Sequence, residues 1–280
     1  MDGNAGADSQ PVTGSRPGRN AHGSHVAISG DANGEVATVS LGNSGTMNIL
    51  GSDAISELTL SFRALARRDG LSAVVLRGAG DRAFSGGADI EEMATLDRRS
   101  AEKFIRRLAD LCETVRSCPV PVIARLSGWC LGAGLELAMA CDLRIAAESA
   151  QLGMPEVTVG IPSVIHSALL PAHIGSSRAT WLLLTGLTIS AERAEQWGLV
   201  HEVVPGDQLD PRIGQLTELF TRLGTQVIRQ QKRLINSWYH KDVRTAIDDS
   251  VEQFGLSFLT GEPQRAMAQF LHRRAGRPNH

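Results

Sequence analysis

Short apolar runs alternate with helical patterns between residues 71 and 147, and this alternation constrains the fold more than any other feature of the chain. The runs are SAVVLRG at 72–78, VPVIARLSG at 120–128 and LRIAA at 143–147, and each predicts a buried strand. Apolar residues at helical spacing, from Phe104 to Val115, predict a helix between the first two runs. Strands that alternate with helices over short links indicate an α/β architecture with parallel strands.

The neighbouring segments extend this pattern. HVAISG at 25–30 and EVATVSL at 35–41 alternate in polarity, so we predict two paired strands joined by the turn DANG. The segment 52–70 predicts a helix with one apolar face and Gly70 as its stop. The stretch GWCLGAGLELAMACD at 128–142 reads as a further helix.

Three regions follow from this organisation. Residues 1–24 lack an apolar core and the features of a targeting peptide, so we predict a disordered tail. Residues 25–205 carry the alternation of strands and helices. Residues 206–280 show helical period almost throughout, which predicts a helical C-terminal region.

The composition argues against several classes of function. Lys and Arg number 28 against 30 Asp and Glu, a formal net charge of −2, which does not suggest a nucleic-acid partner. No apolar run approaches the ~18 residues that a membrane span requires. The four cysteines show neither C-x-x-C nor zinc spacing, so we expect no metal site and a reducing compartment, the cytoplasm. GAGLEL has Leu137 in place of the third glycine of the dinucleotide fingerprint, so it does not indicate a dinucleotide site.

Glu136 is the only charge in the stretch 128–142 before Asp142. A carboxylate in an apolar helix is costly unless it is paired, hydrogen-bonded, protonated or placed at a cavity. A backbone amide, Arg125 or Arg144 would satisfy it structurally, and for a lone glutamate we favour that explanation.

A second isolated carboxylate weakens the structural explanation. Glu156 is the only charge in AQLGMPEVTVGIPSVI at 150–165, and the intervening strand at 143–147 can bring it back to Glu136. Apolar surroundings raise a carboxyl pKa from ~4.3, so that one carboxyl serves as acid and another as base near neutral pH. A glutamate that caps the turn after Pro155 is the structural alternative, but the pair favours catalysis.

The segment AFSGGADIEEM at 83–93 joins a strand to a helix. Asp89 is predicted to cap that helix, with Glu92 in capping-box spacing. The glycines at 86–87 permit a turn that aims backbone N–H groups at an anion, and the turn at 132–134 can supply a matching donor. Two such loops would form an oxyanion hole, although an ordinary glycine loop before a capped helix explains the first one by itself.

At these residues the chain resembles the crotonase superfamily, the enoyl-CoA hydratase/isomerase family, over about residues 25–274. The matching blocks are AVVLRGAGDRAFSGGADIEEM, PVPVIARLSGWCLGAGLELAMACDLRIAAESAQLGMPEVTVGIP, LLLTGLTISAERAEQWGLVHEVVP and the closing AMAQFLHRR. The resemblance implies an α/β fold, a spiral of ββα units with a helical C-terminal trimerisation region. It also implies homotrimers, often paired into homohexamers.

The resemblance implies a role for each site residue. The backbone N–H groups of Ala88 and Ala133 would form the oxyanion hole for the thioester, and Glu136 and Glu156 would act as base and acid in adding water to a 2-enoyl-CoA. The residues implied to bind the acyl-CoA substrate are Ala83, Gly86, Gly87, Ala88, Asp89, Ile90 and Gly132, with Phe270 and Arg273 (or Arg274) from a neighbouring subunit. Those implied to shape the acyl pocket are Trp129, Pro155, Ile161 and Val164.

Coenzyme A would belong to the substrate, no other cofactor is expected, and the family's chemistry suggests fatty-acid β-oxidation. Two alternatives stay open: another reaction of the family (isomerisation, specialised dehydration or thioester hydrolysis) and a non-catalytic acyl-CoA-binding protein. One departure matters, because Val164, Ile165 and His166 put bulk where the family often has glycine.

Overall fold

The computed structural model describes residues 24–31, 34–42 and 47–275. Its strands are β1 (His25–Asp31), β2 (Gly34–Leu41), β3 (Leu71–Gly78), β4 (Ala83–Ser85), β5 (Val122–Leu126), β6 (Trp129–Leu131), β7 (Leu143–Ala147), β8 (Gln151–Gly153), β9 (Thr188–Ser190) and β10 (Glu202–Val204). Its α-helices are α1 (Ser52–Leu65), α2 (Ile90–Met93), α3 (Arg98–Arg116), α4 (Ala133–Ala140), α5 (Leu170–Ile174), α6 (Ser176–Thr185), α7 (Ala191–Trp197), α8 (Leu209–Arg222), α9 (Thr225–Trp238), α10 (Val243–Ser257) and α11 (Glu262–Ala275).

The predicted disordered tail lies outside the described residues except for Ser24, and so does the centre of the DANG turn. Within the described ranges, no helix combines the length and apolarity needed to cross a membrane.

The strands form two sheets, and the chain passes between them repeatedly. The larger sheet has the order β1-β2-β3-β5-β7-β10, and the smaller has the order β4-β6-β8-β9. Each of β3, β5 and β7 in the larger sheet is followed at once by a strand of the smaller sheet. Helices follow each strand pair before the next pair begins, which confirms the predicted spiral of ββα units.

Both faces of the larger sheet are covered, which explains its nearly continuous apolar strands. One face packs on the main core with α1, α3 and α4, and the other packs on Leu209 and Ile213 of α8. All described strand pairs of this sheet are parallel except β1 with β2. Parallel strands buried on both faces favour runs of Val, Ile and Leu over alternation.

Most of the predicted elements are confirmed, with two corrections. Helix α1 buries the predicted face but ends at Leu65, because a turn at 66–70 replaces its last residues and Gly70 lies just before β3. The stretch 128–142 is not one helix. Its first residues form β6, and Gly132, at φ +51°, breaks the chain before α4 begins. Periodicity missed β6 because three residues, of which only Cys130 is buried, are too few to establish a strand pattern.

Within the described residues, the chain from 206 to 275 is mostly helical, as its period predicts. Lys232 of α9 ties this region to the core, because its buried ammonium donates to Asp142 Oδ2 at 2.6 Å and to the Val120 carbonyl at 2.8 Å. Helices α10 and α11 leave many large apolar side chains exposed, among them Val243, Val251 and Phe270.

Candidate active site

Helix α4 is buried along its whole length, and both of its ends are held by the backbone or by a buried cation. At its start, Gly132 N–H donates to the Gly153 carbonyl at 2.9 Å, which joins the helix to β8. At its end, the buried Arg144 donates to the carbonyl of Cys141 at 2.8 Å. The positive charge of Arg144 complements the negative end of the helix dipole. The N-terminus of α4, with Ala133 N–H first, is thereby fixed against the smaller sheet.

Glu136 lies on α4 with only 3% of its surface exposed. Its Oε1 accepts hydrogen bonds from the Ser167 hydroxyl at 2.7 Å and from the Ser167 N–H at 2.9 Å. Burial raises the pKa of Glu136 to about 7, against the lowering effect of the two Ser167 donors, and the nearby Glu156 carboxylate adds to the rise. The carboxyl therefore changes its charge near neutral pH, where a general acid or base is most effective.

Neither arginine considered from the sequence contacts Glu136. Arg125 donates to Asp81 and Asp210 near the carboxyl end of β5. Arg144 donates to backbone carbonyls. Ser167 supplies the backbone amide that a purely structural role for Glu136 would require. Glu136 also borders a cavity, which a purely structural role does not require.

Glu156 lies on the 3-10 turn Pro155–Val159 that follows β8. Its Oε2 accepts a hydrogen bond from the Ser163 hydroxyl at 2.8 Å. Its Oε1 packs on Gly132, since a Cβ on that glycine would lie 2.5 Å from this oxygen. Pairing of β6 with β8 sets Leu131 opposite Gly153, and this register brings Glu156 back to the start of α4.

The loop Gly86–Ala88 is held by its own backbone hydrogen bonds. Gly86 N–H donates to the Met47 carbonyl at 2.7 Å, and Leu50 N–H donates to the Gly87 carbonyl at 2.9 Å. Gly87 has φ +106°, a conformation that residues with a side chain rarely adopt. After these bonds are made, Ala88 N–H donates to no acceptor in the described part of the chain.

The two glycine loops meet because Gly134 packs tightly on β4. A Cβ on Gly134 would lie 2.7 Å from Ser85 Cβ, and a Cβ on Gly87 would lie 3.9 Å from Ala133 N. Ala133 N–H, like that of Ala88, has no acceptor within the described residues. Two free N–H groups from two loops therefore border one space, as the sequence interpretation required.

Asp89 caps α2, but the predicted capping box is only half formed. Asp89 Oδ1 accepts a hydrogen bond from Glu92 N–H at 2.9 Å. The Glu92 carboxylate instead accepts from Ser52 N–H at 2.8 Å and from the Ser52 hydroxyl, at the start of α1. Glu92 thus caps a different helix, which spacing along the chain does not reveal.

A cavity of about 620 Å³ opens in front of these groups. The predicted site residues in its wall are Glu136, Glu156, Ala88, Ala133, Gly86, Gly87, Ile90, Gly132, Pro155, Ile161 and Val164. The structure therefore brings both carboxylates and both free N–H groups to one cavity. This size is in the range of small-molecule sites, which are typically about 300–1,000 Å³.

Five predicted site residues lie outside the cavity wall. Ala83 is fully buried in β4, and its carbonyl accepts from Asn48. Asp89 serves as a helix cap, and Trp129 is exposed at the start of β6. Phe270 and Arg273 are exposed on α11 and stay predictions, because their expected role is in a neighbouring subunit.

Sequence reasoning missed two groups of residues in or beside the site. One is the apolar wall along α2 and α3, formed by Met93, Leu96, Ala101, Phe104, Ile105 and Leu108. The helical period marked Phe104 and Leu108 as buried but not as lining a cavity. The other is the pair of serines, Ser163 and Ser167, that bond the two glutamates. Two hydroxyls in GIPSVIHSALLP, where His166 is the only other polar side chain, are the signal that was available.

Comparison with known proteins places this geometry in a family. The model of the enoyl-CoA hydratase/isomerase family matches residues 31–277. A crotonyl-CoA hydratase of Syntrophomonas wolfei is 33% identical over 229 residues, which are 81% of this chain and 88% of that protein. A short-chain-enoyl-CoA hydratase of Clostridium acetobutylicum is 32% identical over 248 residues, 86% of this chain and 93% of that protein.

Solved structures agree with the sequence relatives. The crystal structure of an enoyl-CoA hydratase from Bacillus anthracis superposes with a TM-score of 0.83 at 31% identity. The match covers 89% of this chain and 96% of that one. The spiral of strand pairs and helices is therefore shared along nearly the full length of both proteins.

The buried charge of Glu136 predicts a pH-dependent gain in stability for Glu136→Gln. Because burial raises its pKa from 4.5 to about 7, the folded protein holds this proton more tightly than the unfolded chain does. The stabilising effect of that proton is full below about 4.5 and is lost as the pH rises through about 7. At about pH 8 the variant should be more stable by on the order of 3 kcal/mol, from ~1.4 kcal/mol for each pH unit.

Denaturant unfolding at about pH 5 and pH 8 measures this difference, which should be small at the lower pH. Glu91→Gln is the control, because Glu91 is exposed and does not line the cavity. A gain of the same size at both pH values would contradict a buried, titrating Glu136.

Proposed function

The chain belongs to the enoyl-CoA hydratase/isomerase family, the crotonase superfamily, and on this premise we propose that it adds water reversibly across the 2,3 double bond of a 2-enoyl-CoA thioester. One observation carries the proposal. Glu136, Glu156 and the free N–H groups of Ala88 and Ala133 border the same cavity. Relatives at about 30% identity over most of the chain are named enoyl-CoA hydratases, which supports the same reaction.

The two carboxyl groups divide the proton transfers. A water molecule between them loses a proton to Glu136 as its oxygen bonds to Cβ of the substrate. The π electrons move toward the thioester, and Cα then takes the proton of Glu156. The product is a 3-hydroxyacyl-CoA, and exchange of one proton between the carboxyl groups and solvent restores the starting state. Positioned acid–base groups of this kind contribute roughly 10²–10⁴-fold each.

The two free N–H groups stabilise the charge that forms during attack. Addition at Cβ moves negative charge onto the thioester oxygen, between Ala88 and Ala133. These donors are held in place by the packing of Gly134 on Ser85 and by the fixed N-terminus of α4. Loss of one such donor typically raises a barrier by ~3–4 kcal/mol. Ala133 needs only its backbone N–H for this role.

The acyl chain is proposed to lie along the apolar face of α3. Ala101, Phe104 and Leu108 line the cavity from α3, and Pro155, Ile161 and Val164 line it from the segment that follows β8. Backbone around Ala88 and Ile90 would meet the nucleotide end of CoA. Trp129, Ala83 and Asp89 have weaker claims to a substrate contact, because they lie outside the cavity wall.

Assembly into trimers, or into hexamers of paired trimers, is proposed for the C-terminal helices. Val243, Ile247, Val251 and Phe254 recur along α10 and are all more than half exposed, and Phe270 and Leu271 of α11 are too. Apolar patches of this extent mark association surfaces. In such an assembly Phe270 and Arg273 would reach the nucleotide of a substrate bound to the neighbouring subunit.

We propose the cytoplasm as the location, β-oxidation as the setting, and no cofactor beyond the CoA of the substrate. The described cysteines are all reduced and buried, and burial raises the pKa of their thiols, which suits a reducing compartment. The proposed reaction moves protons and water only, so its balance needs no redox group.

Hydration is tested by adding the protein to crotonyl-CoA and to longer and branched enoyl-CoAs. The absorbance of the conjugated thioester should fall, and the product should gain the mass of one water. Glu136→Gln and Glu156→Gln should each lower kcat by roughly 10²–10⁴-fold with the fold intact by circular dichroism. Full activity in either variant would refute the two-carboxyl mechanism.

The same panel separates the alternatives. A mass that does not change while the double bond moves indicates isomerisation, and release of free CoA indicates hydrolysis. Binding of CoA by calorimetry without turnover of any enoyl-CoA would instead indicate an acyl-CoA-binding protein.

Gly132→Ala should slow hydration by about 10²-fold, because it displaces Glu156. The new Cβ would lie 2.5 Å from Glu156 Oε1, and only Glu156 atoms come within 4 Å of it, so this carboxylate has to move. A displacement of about 1 Å can cost ~10²-fold in rate. The matched control is Gly175→Ala, which has a similar φ of +77° but open space around the new Cβ. Both variants should lose similar stability, and only Gly132→Ala should lose activity. Equal rates in the two variants would contradict the proposed contact.

The proposed assembly predicts a solution mass of three or six chains by light scattering. Val251→Lys should shift the mass toward the monomer, because a charge replaces an exposed apolar side chain of α10. Glu252→Lys, on the neighbouring exposed position, should leave the assembly intact. A wild-type protein that runs as a monomer would contradict this surface assignment.

A further inference from the structure

One short segment of the chain holds both catalytic carboxylates. The Ser163 hydroxyl donates to Glu156 Oε2 at 2.8 Å. Four residues later, the Ser167 hydroxyl and N–H donate to Glu136 Oε1 at 2.7 and 2.9 Å. Ser167 is itself buried, with 4% of its surface exposed. Bulk water therefore does not compete with Glu136 as the acceptor of its hydroxyl.

The backbone between the two serines is strained. Ile165 has φ +42°, a conformation that is rare for any residue with a side chain and rarer still for a β-branched one. The strained residue begins the 3-10 turn Ile165–Leu169, and Ser167 is the third residue of that turn. Backbone strain of this kind persists where surrounding contacts over-determine it, and it concentrates at functional sites. Here it aims Ser167 at Glu136.

We propose that Ser163 and Ser167 are positioning residues that fix the orientation of the two carboxylates, and that Ser167 leaves Oε2 of Glu136 as the only oxygen able to take the proton from water. The inference rests on the proposed hydration reaction for its meaning, but the contacts that carry it do not. Glu136 Oε1 accepts from the Ser167 hydroxyl and from the Ser167 N–H, which can only donate, so this oxygen carries no proton.

The Ser167 hydroxyl has more influence on Glu136 than the N–H has. The N–H is shared, because it also donates to the Val164 carbonyl at 3.0 Å. The hydroxyl has Glu136 Oε1 as its acceptor. Removing the hydroxyl alone therefore weakens the orientation of Glu136 while the turn keeps its backbone bond.

The titratable groups that face Glu136 from other elements are the Glu156 carboxylate and the Cys112 thiol of α3. His166 is next to Ser167 but faces away, with its Nε2 3.9 Å from Glu113 Oε2. Within the described chain, Ser167 is thus the group that favours the ionised form of Glu136, while burial and Glu156 oppose it. Loss of its hydroxyl should raise the pKa of Glu136.

The test compares Ser167→Ala, Ser167→Thr and Ser163→Ala with the wild type over a range of pH. Ser167→Ala should lower kcat/KM by about 10- to 100-fold, the range expected for one hydrogen bond to a charged group. It should also move the acidic limb of the pH profile to higher pH, because Glu136 must be ionised to act as base. Ser167→Thr restores the hydroxyl and should recover the wild-type limb. Ser163→Ala should lower kcat without moving that limb.

A second measurement does not depend on turnover. The protonated carboxyl band of Glu136, identified by infrared difference against Glu136→Gln, should titrate at higher pH in Ser167→Ala than in the wild type. A wild-type titration and a wild-type pH profile in Ser167→Ala would overturn the proposal. If the wild-type protein hydrates no enoyl-CoA but the band still shifts, the proposed function fails and the positioning role of Ser167 stands.

Discussion

Removal of the Glu136 carboxylate from water is the constraint around which the rest of the site is arranged. A charge in a helix that is buried on all sides is unfavourable by several kcal/mol unless donors face it. The donors that face this carboxylate are the hydroxyl and the shared N–H of Ser167, and neither is a cation. An arginine at this place would hold the carboxylate ionised and too weakly basic. Two uncharged donors offset only part of the cost and leave the pKa near neutrality.

The path of the chain between two sheets brings the chemical groups to this carboxylate. Strands β3, β5 and β7 of the larger sheet are each followed by a short strand of the smaller one, so β4, β6 and β8 end side by side. The segments that follow these three strands carry Ala88, Ala133 and Glu156. Glycines permit the close approach, since Gly132 and Gly134 lie against Glu156 and Ser85 with no room for a Cβ. The rigid sheet thus fixes groups that lie on loops.

The C-terminal region plays a different part from the spiral core. Lys232 secures α9 to the core through Asp142, while α10 and α11 present apolar faces that the single chain leaves uncovered. The core alone already assembles both carboxylates and both free N–H groups. The C-terminal helices would serve to assemble subunits and to close the nucleotide end of the site.

The residue pattern alone was enough to predict the strands β3, β5 and β7, the buried faces of α1 and α3, and the isolation of Glu136 and Glu156. These depend on periodicity and on the cost of burying charge, both of which act locally along the chain. The end of α1, the strand β6 and Ser52 as the donor to the Glu92 carboxylate could not be predicted, because each depends on a partner from another part of the chain. Ser167 belongs to the same class, because it lies 31 residues from Glu136, whereas Ser163 lies only 7 residues from Glu156 and meets it through the path of the loop between them. A serine in an apolar turn gives no sign of function by itself. The fold places the Ser167 hydroxyl 2.7 Å from Glu136 and the Ser163 hydroxyl 2.8 Å from Glu156. The sequence thus identifies the chemically unusual residues. Strand register and close glycine packing in the tertiary structure determine which of them come into contact.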